Sequence, residues 1–120
     1  FVTELDYVQA CLLGRQCGLL VSVSAIHPGH SLALFEAGQT GDSDRLRAML
    51  SDLSRIREQA IATGIRSNGH MDGTFDKLYA RLFDPDFPLR LQSPYEGSRS
   101  AEFDAFVQWL KTEYPQWVRA

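Results

Sequence analysis

One stretch of this chain constrains its fold more than any other. Residues 17–29, CGLLVSVSAIHPG, have the pattern of a single buried β-strand in an otherwise helical sequence. Alternate residues fall on two faces: Leu19, Val21 and Val23 on one, and Leu20, Ser22 and Ser24 on the other. Pro28 and Gly29 are expected to end the strand. A strand must share its backbone hydrogen bonds with neighbours, so the fold depends on what this strand pairs with.

The rest of the chain shows helical periodicity, interrupted by one long irregular segment. We predict helices at about 4–18, 31–37, 43–63, 74–83 and 100–114, a loop at 65–73 and an ordered loop or extended crossing segment at 84–98. The buried face of the first helix is predicted to consist of Leu5, Val8, Cys11 and Leu12. Gly38 and Gly41 are expected to break the second helix, and Asp42 or Ser43 to cap the third.

A strand that is buried on both faces is typical of a parallel sheet, whose strands are joined by crossover helices. The first helix has the position of such a crossover, and FVT at residues 1–3 has the pattern of the end of a preceding strand. Most of the strand's pairing partners would then lie outside these residues. We therefore expect the chain to be the C-terminal end of a longer α/β protein.

Composition excludes several classes of function. The chain has 120 residues, which suits one domain, and a net charge of −3 without a basic block, so it lacks the usual signature of nucleic-acid binding. No apolar run approaches about 20 residues, and no basic region precedes an apolar one, so neither a membrane span nor a signal peptide is predicted. Cys11 and Cys17 are expected to be buried, reduced thiols, as in a cytoplasmic protein.

Three segments together resemble the dihydrodipicolinate synthase / N-acetylneuraminate lyase family. They are ELDYVQACLLGRQCGLLVSVSAIHPG at 4–29, GQTGDSDRLRAML at 38–50 and FDKLYARLFDPDFPLRLQSPYEGSRSAEFDAFVQWL at 75–110. The resemblance implies an α/β fold that is the C-terminal portion of a (β/α)8 TIM barrel, mostly helical within this chain. Residues 1–64 would supply the seventh helix, eighth strand and eighth helix, and residues 65–120 a helical C-terminal extension.

Members of that family form a Schiff base between a lysine and a 2-keto acid. The resemblance implies a pyruvate-like substrate with an aldehyde partner, no metal or other cofactor, and a homotetramer or dimer. The catalytic lysine of the sixth strand and the tyrosine of the fifth would lie upstream of Phe1, so this segment alone is expected to be inactive. Lys77 and Lys111 lie on polar sides of their helices and are not expected to replace that lysine.

Four residues are the candidates for substrate binding under this resemblance: Leu20, Ser24, Ala25 and Glu4. Leu20 would lie beside the keto acid, although simple filling of the barrel is an equal alternative. Many family members carry Asn at the position of Ala25, so the chain departs from the family there. Glu4 would lie at the mouth of the seventh strand, and it is also the type of residue that the first turn of any helix favours.

Two other readings compete with this one. His27 and His30 flank Pro28–Gly29, but no third ligand lies close in sequence, so a metal site is not predicted. The chain as a whole also fits a non-enzymatic helical module that binds a partner protein. The buried strand argues against such a module, because a bundle of interacting helices has no need of it.

Overall fold

The computed structural model describes residues 1–22, 26–65 and 73–118, and helices make up most of them. The α-helices are α1 (Glu4–Leu12), α2 (Pro28–Thr40), α3 (Ser43–Ala60), α4 (Gly73–Phe83) and α5 (Ser100–Glu113). A π-helical turn, Ile61–Ile65, follows α3, and a 3-10 turn, Pro115–Trp117, follows α5. The chain divides into two compact units, Phe1–Arg55 and Ile56–Ala120.

The predicted strand is reduced to one pair of residues. Val2 and Leu19 form a parallel bridge, in which the Val2 amide donates to the Gly18 carbonyl at 2.9 Å and the Leu20 amide donates to the Val2 carbonyl at 2.8 Å. The bridge cannot lengthen in the forward direction, because α1 begins at Glu4 and takes the partner segment away. A full strand over residues 19–26 was therefore the wrong expectation for the described part of this segment, and residues 23–25 lie outside it.

α1 buries a different face from the predicted one. Its buried residues are Glu4, Tyr7 and Val8. Of the predicted set only Val8 is buried; Leu5 and Cys11 are half-buried and Leu12 is exposed. The face is shifted because Tyr7 contributes the largest side chain to the contact with α2, and its ring stacks at 6.1 Å on that of Phe35. The left-handed Gly14 (φ 68°) then turns the chain back towards the bridge.

α2 is longer than predicted at both ends. Pro28 does not end a strand but opens the helix, where its fixed φ and missing N–H cost nothing. Gly38 lies inside the helix instead of breaking it. The Tyr7 ring packs against this glycine so closely that a Cβ there would lie 2.6 Å from Cε1 of Tyr7. The helix ends instead at Gly41, which has a left-handed φ of 71°, as its predicted role as a breaker requires.

The third predicted helix is confirmed as α3. Asp42 caps it, since its Oδ1 accepts a hydrogen bond from the Arg45 amide at 3.1 Å. The buried residues along its apolar stripe are Leu46, Met49, Leu53, Ile56 and Ala60. Regular α-helical geometry ends at Ala60, and the π-helical turn carries the chain on past the predicted stop at Gly64.

The second unit is organised around aromatic side chains from α4, α5 and the final turn. Neighbouring ring centroids lie 5.5–6.4 Å apart along one series: Phe75, Tyr79, Phe106, Trp109, Tyr114 and Trp117. Both helices occur where the sequence predicts them. The segment between them has neither helix nor strand, as predicted for residues 84–98, whereas most of the predicted loop at 65–73 lies outside the described residues.

Candidate functional site

Two of the four predicted substrate-binding residues, Leu20 and Glu4, lie next to the Val2–Leu19 bridge, where the first unit brings together residues 1–3, α1 and residues 19–22. Leu20 follows the bridge, and its side chain is 64% exposed. Glu4 starts α1 and is only 9% exposed. The structure therefore places these two residues on either side of the same junction. Ser24 and Ala25 lie outside the described residues, so their assignment remains a prediction.

Glu4 has a definite structural partner. Its Oε1 accepts a hydrogen bond from the Ser22 amide at 2.6 Å. A hydrogen bond to an ionised carboxylate is stronger than one between neutral groups, and partial burial strengthens it further. Glu4 thus fastens the backbone after Leu20 to the first turn of α1. This contact fixes the path of residues 19–22, which would form one wall of a site.

Chemically, this junction offers a binding wall rather than a reacting group. Leu20 presents an apolar surface, and the Ser22 side chain is also exposed. Both lysines belong to the other unit, Ile56–Ala120. Lys77 Nζ donates to the Arg90 carbonyl at 2.7 Å and to the Pro88 carbonyl at 3.4 Å, so it ties α4 to the crossing segment. Lys111 is exposed on α5.

His27 and His30 lie at the start of α2 and stabilise it. His27 Nδ1 accepts a hydrogen bond from the His30 amide at 3.0 Å and so caps the helix. Burial, with a further contribution from His27, lowers the pKa of the half-buried His30 below its usual 6.5. Within residues 1–22, 26–65 and 73–118, no group of three or more His, Cys, Asp or Glu side chains is arranged to hold a metal ion.

Tyr7 is the residue that the sequence patterns missed. Its hydroxyl donates to the Phe35 carbonyl at 3.0 Å, and burial raises the pKa of the phenol above its usual 10.0. The glycine that receives its ring, Gly38, lies far away in the sequence on α2, so no local pattern marks the contact. Cys11 and Cys17 are free but only half-buried, so the expected full burial of both thiols is wrong.

Searches for related proteins give no further constraint. No family model matches the chain, and neither a curated protein nor a solved structure matches it significantly. None of the helices in the described residues is long and apolar enough to cross a membrane.

Proposed function

We propose that this chain is the C-terminal part of a Schiff-base aldolase, lyase or synthase that acts on pyruvate or a similar 2-keto acid. The observation that supports it most is the parallel bridge between Val2 and Leu19, with α1 as the crossover and α2 following. Parallel pairing across a helix is the repeating unit of a β/α barrel. The bridge agrees with the order of motifs by which the sequence resembles the dihydrodipicolinate synthase / N-acetylneuraminate lyase family.

In this proposal a lysine that precedes Phe1 carries the chemistry. Its amine adds to the keto carbon, water leaves, and the resulting iminium draws electrons from the neighbouring carbon. The chain described above supplies part of the pocket wall. Leu20 lies against the apolar side of the keto acid, Ser24 and Ala25 border the rest of the substrate, and Glu4 holds the Leu20 segment in position through Ser22.

The exposed apolar side chains of the first unit support the proposal. Leu13 is 78% exposed, and Leu20, which directly follows the bridged residue Leu19, is 64% exposed. A segment of extended chain with apolar side chains is expected to pair with further strands. In a complete barrel, the first strand and the preceding part of the seventh strand would provide them.

Reductive trapping tests the proposal. The protein at its full natural length is incubated with pyruvate and borohydride, and the adduct is located by intact mass and peptide mapping. Borohydride delivers hydride to the iminium and leaves a stable secondary amine on the lysine. We expect an adduct on a lysine outside these 120 residues. An adduct on Lys77 or Lys111, or none at all, would refute the proposal, and the latter would favour a helical interaction module.

A matched pair of variants tests the role of Leu20. Leu20 and Leu32 are exposed to the same extent, 64% and 66%, and both lie in the first unit. Leu20→Asp places a carboxylate beside the bound keto acid, so we expect trapping at a fixed pyruvate concentration to fall about tenfold or more. Leu32→Asp should leave trapping unchanged. Equal effects of the two substitutions would remove Leu20 from the site.

A further inference from the structure

The second unit contains an open groove that the proposed function does not use. Its volume is about 1230 Å³, and it is lined by residues 88–100 of the crossing segment and the start of α5, together with Lys77 and Arg81 of α4. The groove lies wholly within Ile56–Ala120, and its interpretation is independent of the barrel proposal.

The charge of the groove is opposite to that of the chain. Four of its lining residues are basic, Lys77, Arg81, Arg90 and Arg99, and one is acidic, Glu96. The chain as a whole carries a net charge of −3. Concentration of basic side chains in a concave surface of an acidic chain favours an anionic ligand, because the low-dielectric walls strengthen the local positive potential.

Two of the basic side chains are held in place while keeping donors available. Arg81 lies over the Phe103 ring, with Cζ 5.3 Å from its centroid, which leaves the edge of the guanidinium for an oxyanion. Lys77 Nζ uses two of its three N–H groups on the carbonyls of Pro88 and Arg90. The remaining N–H of Lys77 and the edge of Arg81 belong to residues one helical turn apart on the same face of α4.

The wall of the groove opposite α4 supplies further donors. Arg99 and Ser100 are at the N-terminus of α5, where the helix dipole and the amides of the first turn favour an anion. Ser98 also lines the groove; it is only 7% exposed, and its Oγ has no hydrogen-bond partner among the described residues. A buried hydroxyl without a partner is costly, and a ligand oxygen would satisfy it.

One carboxylate competes for this end of α5. Glu102 Oε2 accepts a hydrogen bond from the Arg99 amide at 2.7 Å, so it occupies one donor and partly offsets the positive potential. Glu102 is not among the residues that line the groove, and four basic side chains remain against Glu96 there. The balance within the groove therefore stays positive.

We propose that this groove binds a small metabolite through a phosphate or carboxylate group. The oxyanion would lie between Arg81 and Lys77 on one side and Arg99, Ser98 and the first turn of α5 on the other. Guanidinium groups bind both oxyanions in a two-pronged geometry, and three of the four basic residues of the groove are arginines.

Binding of inorganic phosphate tests the proposal on the protein at its full natural length. The ³¹P line width of phosphate is measured with increasing protein at constant ionic strength, with chloride as the balancing salt. We expect saturable broadening, and about tenfold weaker binding in each of Arg81→Gln and Arg99→Gln, through loss of a hydrogen bond to a charged group. Lys111→Gln removes the same charge from an exposed position away from the groove lining, so it should bind like the parent protein.

Competition then identifies the oxyanion. Displacement of phosphate by malonate shows that the groove accepts carboxylates, whereas displacement by glycerol phosphate alone restricts it to phosphates. Broadening that Lys111→Gln reduces as strongly as Arg99→Gln would show unspecific attraction and overturn the proposal. The proposal would also be overturned if the phosphate line is not broadened and calorimetry shows that the protein binds neither phosphate nor malonate.

Discussion

The two compact units differ in how completely they bury their own apolar residues. The unit Ile56–Ala120 closes its core with an aromatic series that runs from α4 to the final turn. The unit Phe1–Arg55 joins its segments through the Val2–Leu19 bridge, the Glu4–Ser22 hydrogen bond and the packing of Tyr7 on α2, and it leaves Leu13 78% and Leu20 64% exposed. These contacts order the chain but leave large apolar side chains uncovered. We infer that the first unit depends on further strands, whereas the second is closer to self-sufficient.

Truncation of Phe106 should produce the largest effect. The side chain is fully buried and lies between Tyr79 and Trp109. Phe106→Ala removes this ring from the centre of the aromatic series and is expected to cost about 3–5 kcal/mol. Hydrogen-exchange mass spectrometry measures the change as lost amide protection in peptides from α4 and α5.

The control for this substitution comes from the first unit. Leu32 is large, apolar and 66% exposed on α2, so Leu32→Ala should change protection by less than about 0.5 kcal/mol. If Leu32→Ala cost as much as Phe106→Ala, the exposed face of α2 would be part of a buried surface in the native protein. The contrast between the two units would then be wrong.

Substitution of two glycines, one in each unit, should have an effect on stability of intermediate size. A Cβ at Gly97 would meet the backbone of Leu89 and Leu91, with 3.2 Å to the Leu91 nitrogen, whereas a Cβ at Gly38 would meet the outer part of the Tyr7 ring. Backbone yields less than a side chain, so Gly97→Ala should cost more than Gly38→Ala, both within about 1–3 kcal/mol. Thermal unfolding together with local hydrogen-exchange measurements would rank the two variants by loss of stability. A larger loss in Gly38→Ala than in Gly97→Ala would contradict the prediction.

Local sequence signals predicted the second unit well. The apolar residues of α4, including Leu78 and Tyr79, recur at helical spacing, as do those of α5, including Phe106, and the prolines of the crossing segment prevent continuation of α4. These features act over a few residues, so they can be read from the sequence. The first unit depends on contacts between distant residues. The Tyr7 ring at Gly38 overrides the helix-breaking tendency of glycine, and nothing near either position indicates it.

The two candidate sites also differ in how far the sequence predicted them. The sequence resemblance predicts substrate-binding roles for Leu20 and Glu4, and in the structure both lie beside the Val2–Leu19 bridge. It did not predict that Glu4 is committed to the Ser22 amide, because that contact depends on the path of the chain after Gly14. The basic groove was also missed, because its residues come from α4 and from a segment without periodicity.

Removal of the Tyr7 hydroxyl tests the join between α1 and α2 by a smaller change. Tyr7→Phe keeps the ring against Gly38 but deletes the hydrogen bond to the Phe35 carbonyl. Because that carbonyl lies within α2, the expected loss is about 1 kcal/mol. Exchange protection in peptides from α1 and α2 reports it. A loss as large as that of Phe106→Ala would mean that the first unit relies on this one contact more than its packing indicates.

The smallest effect should come from pH and should be confined to the first unit. Burial, followed by the influence of His27, lowers the pKa of His30 in the folded protein below 6.5, although Asp52 and Glu4 oppose the shift and Arg45 adds to it. The unfolded chain therefore binds a proton at a higher pH than the folded chain does. Stability is unaffected while His30 is neutral in both states, and it decreases as the pH falls from 6.5 towards the lower folded value.

Unfolding measured at intervals between roughly pH 5 and 8 checks this sign. His30→Gln removes the titrating group while leaving the backbone amide that donates to His27, so its stability profile should be flatter on the acid side than that of the parent protein. Exchange in α2 peptides should show the difference and α5 peptides should not. A parent protein that gains stability on acidification, relative to His30→Gln, would show that the carboxylates of Asp52 and Glu4 outweigh burial and that His30 is held as a cation.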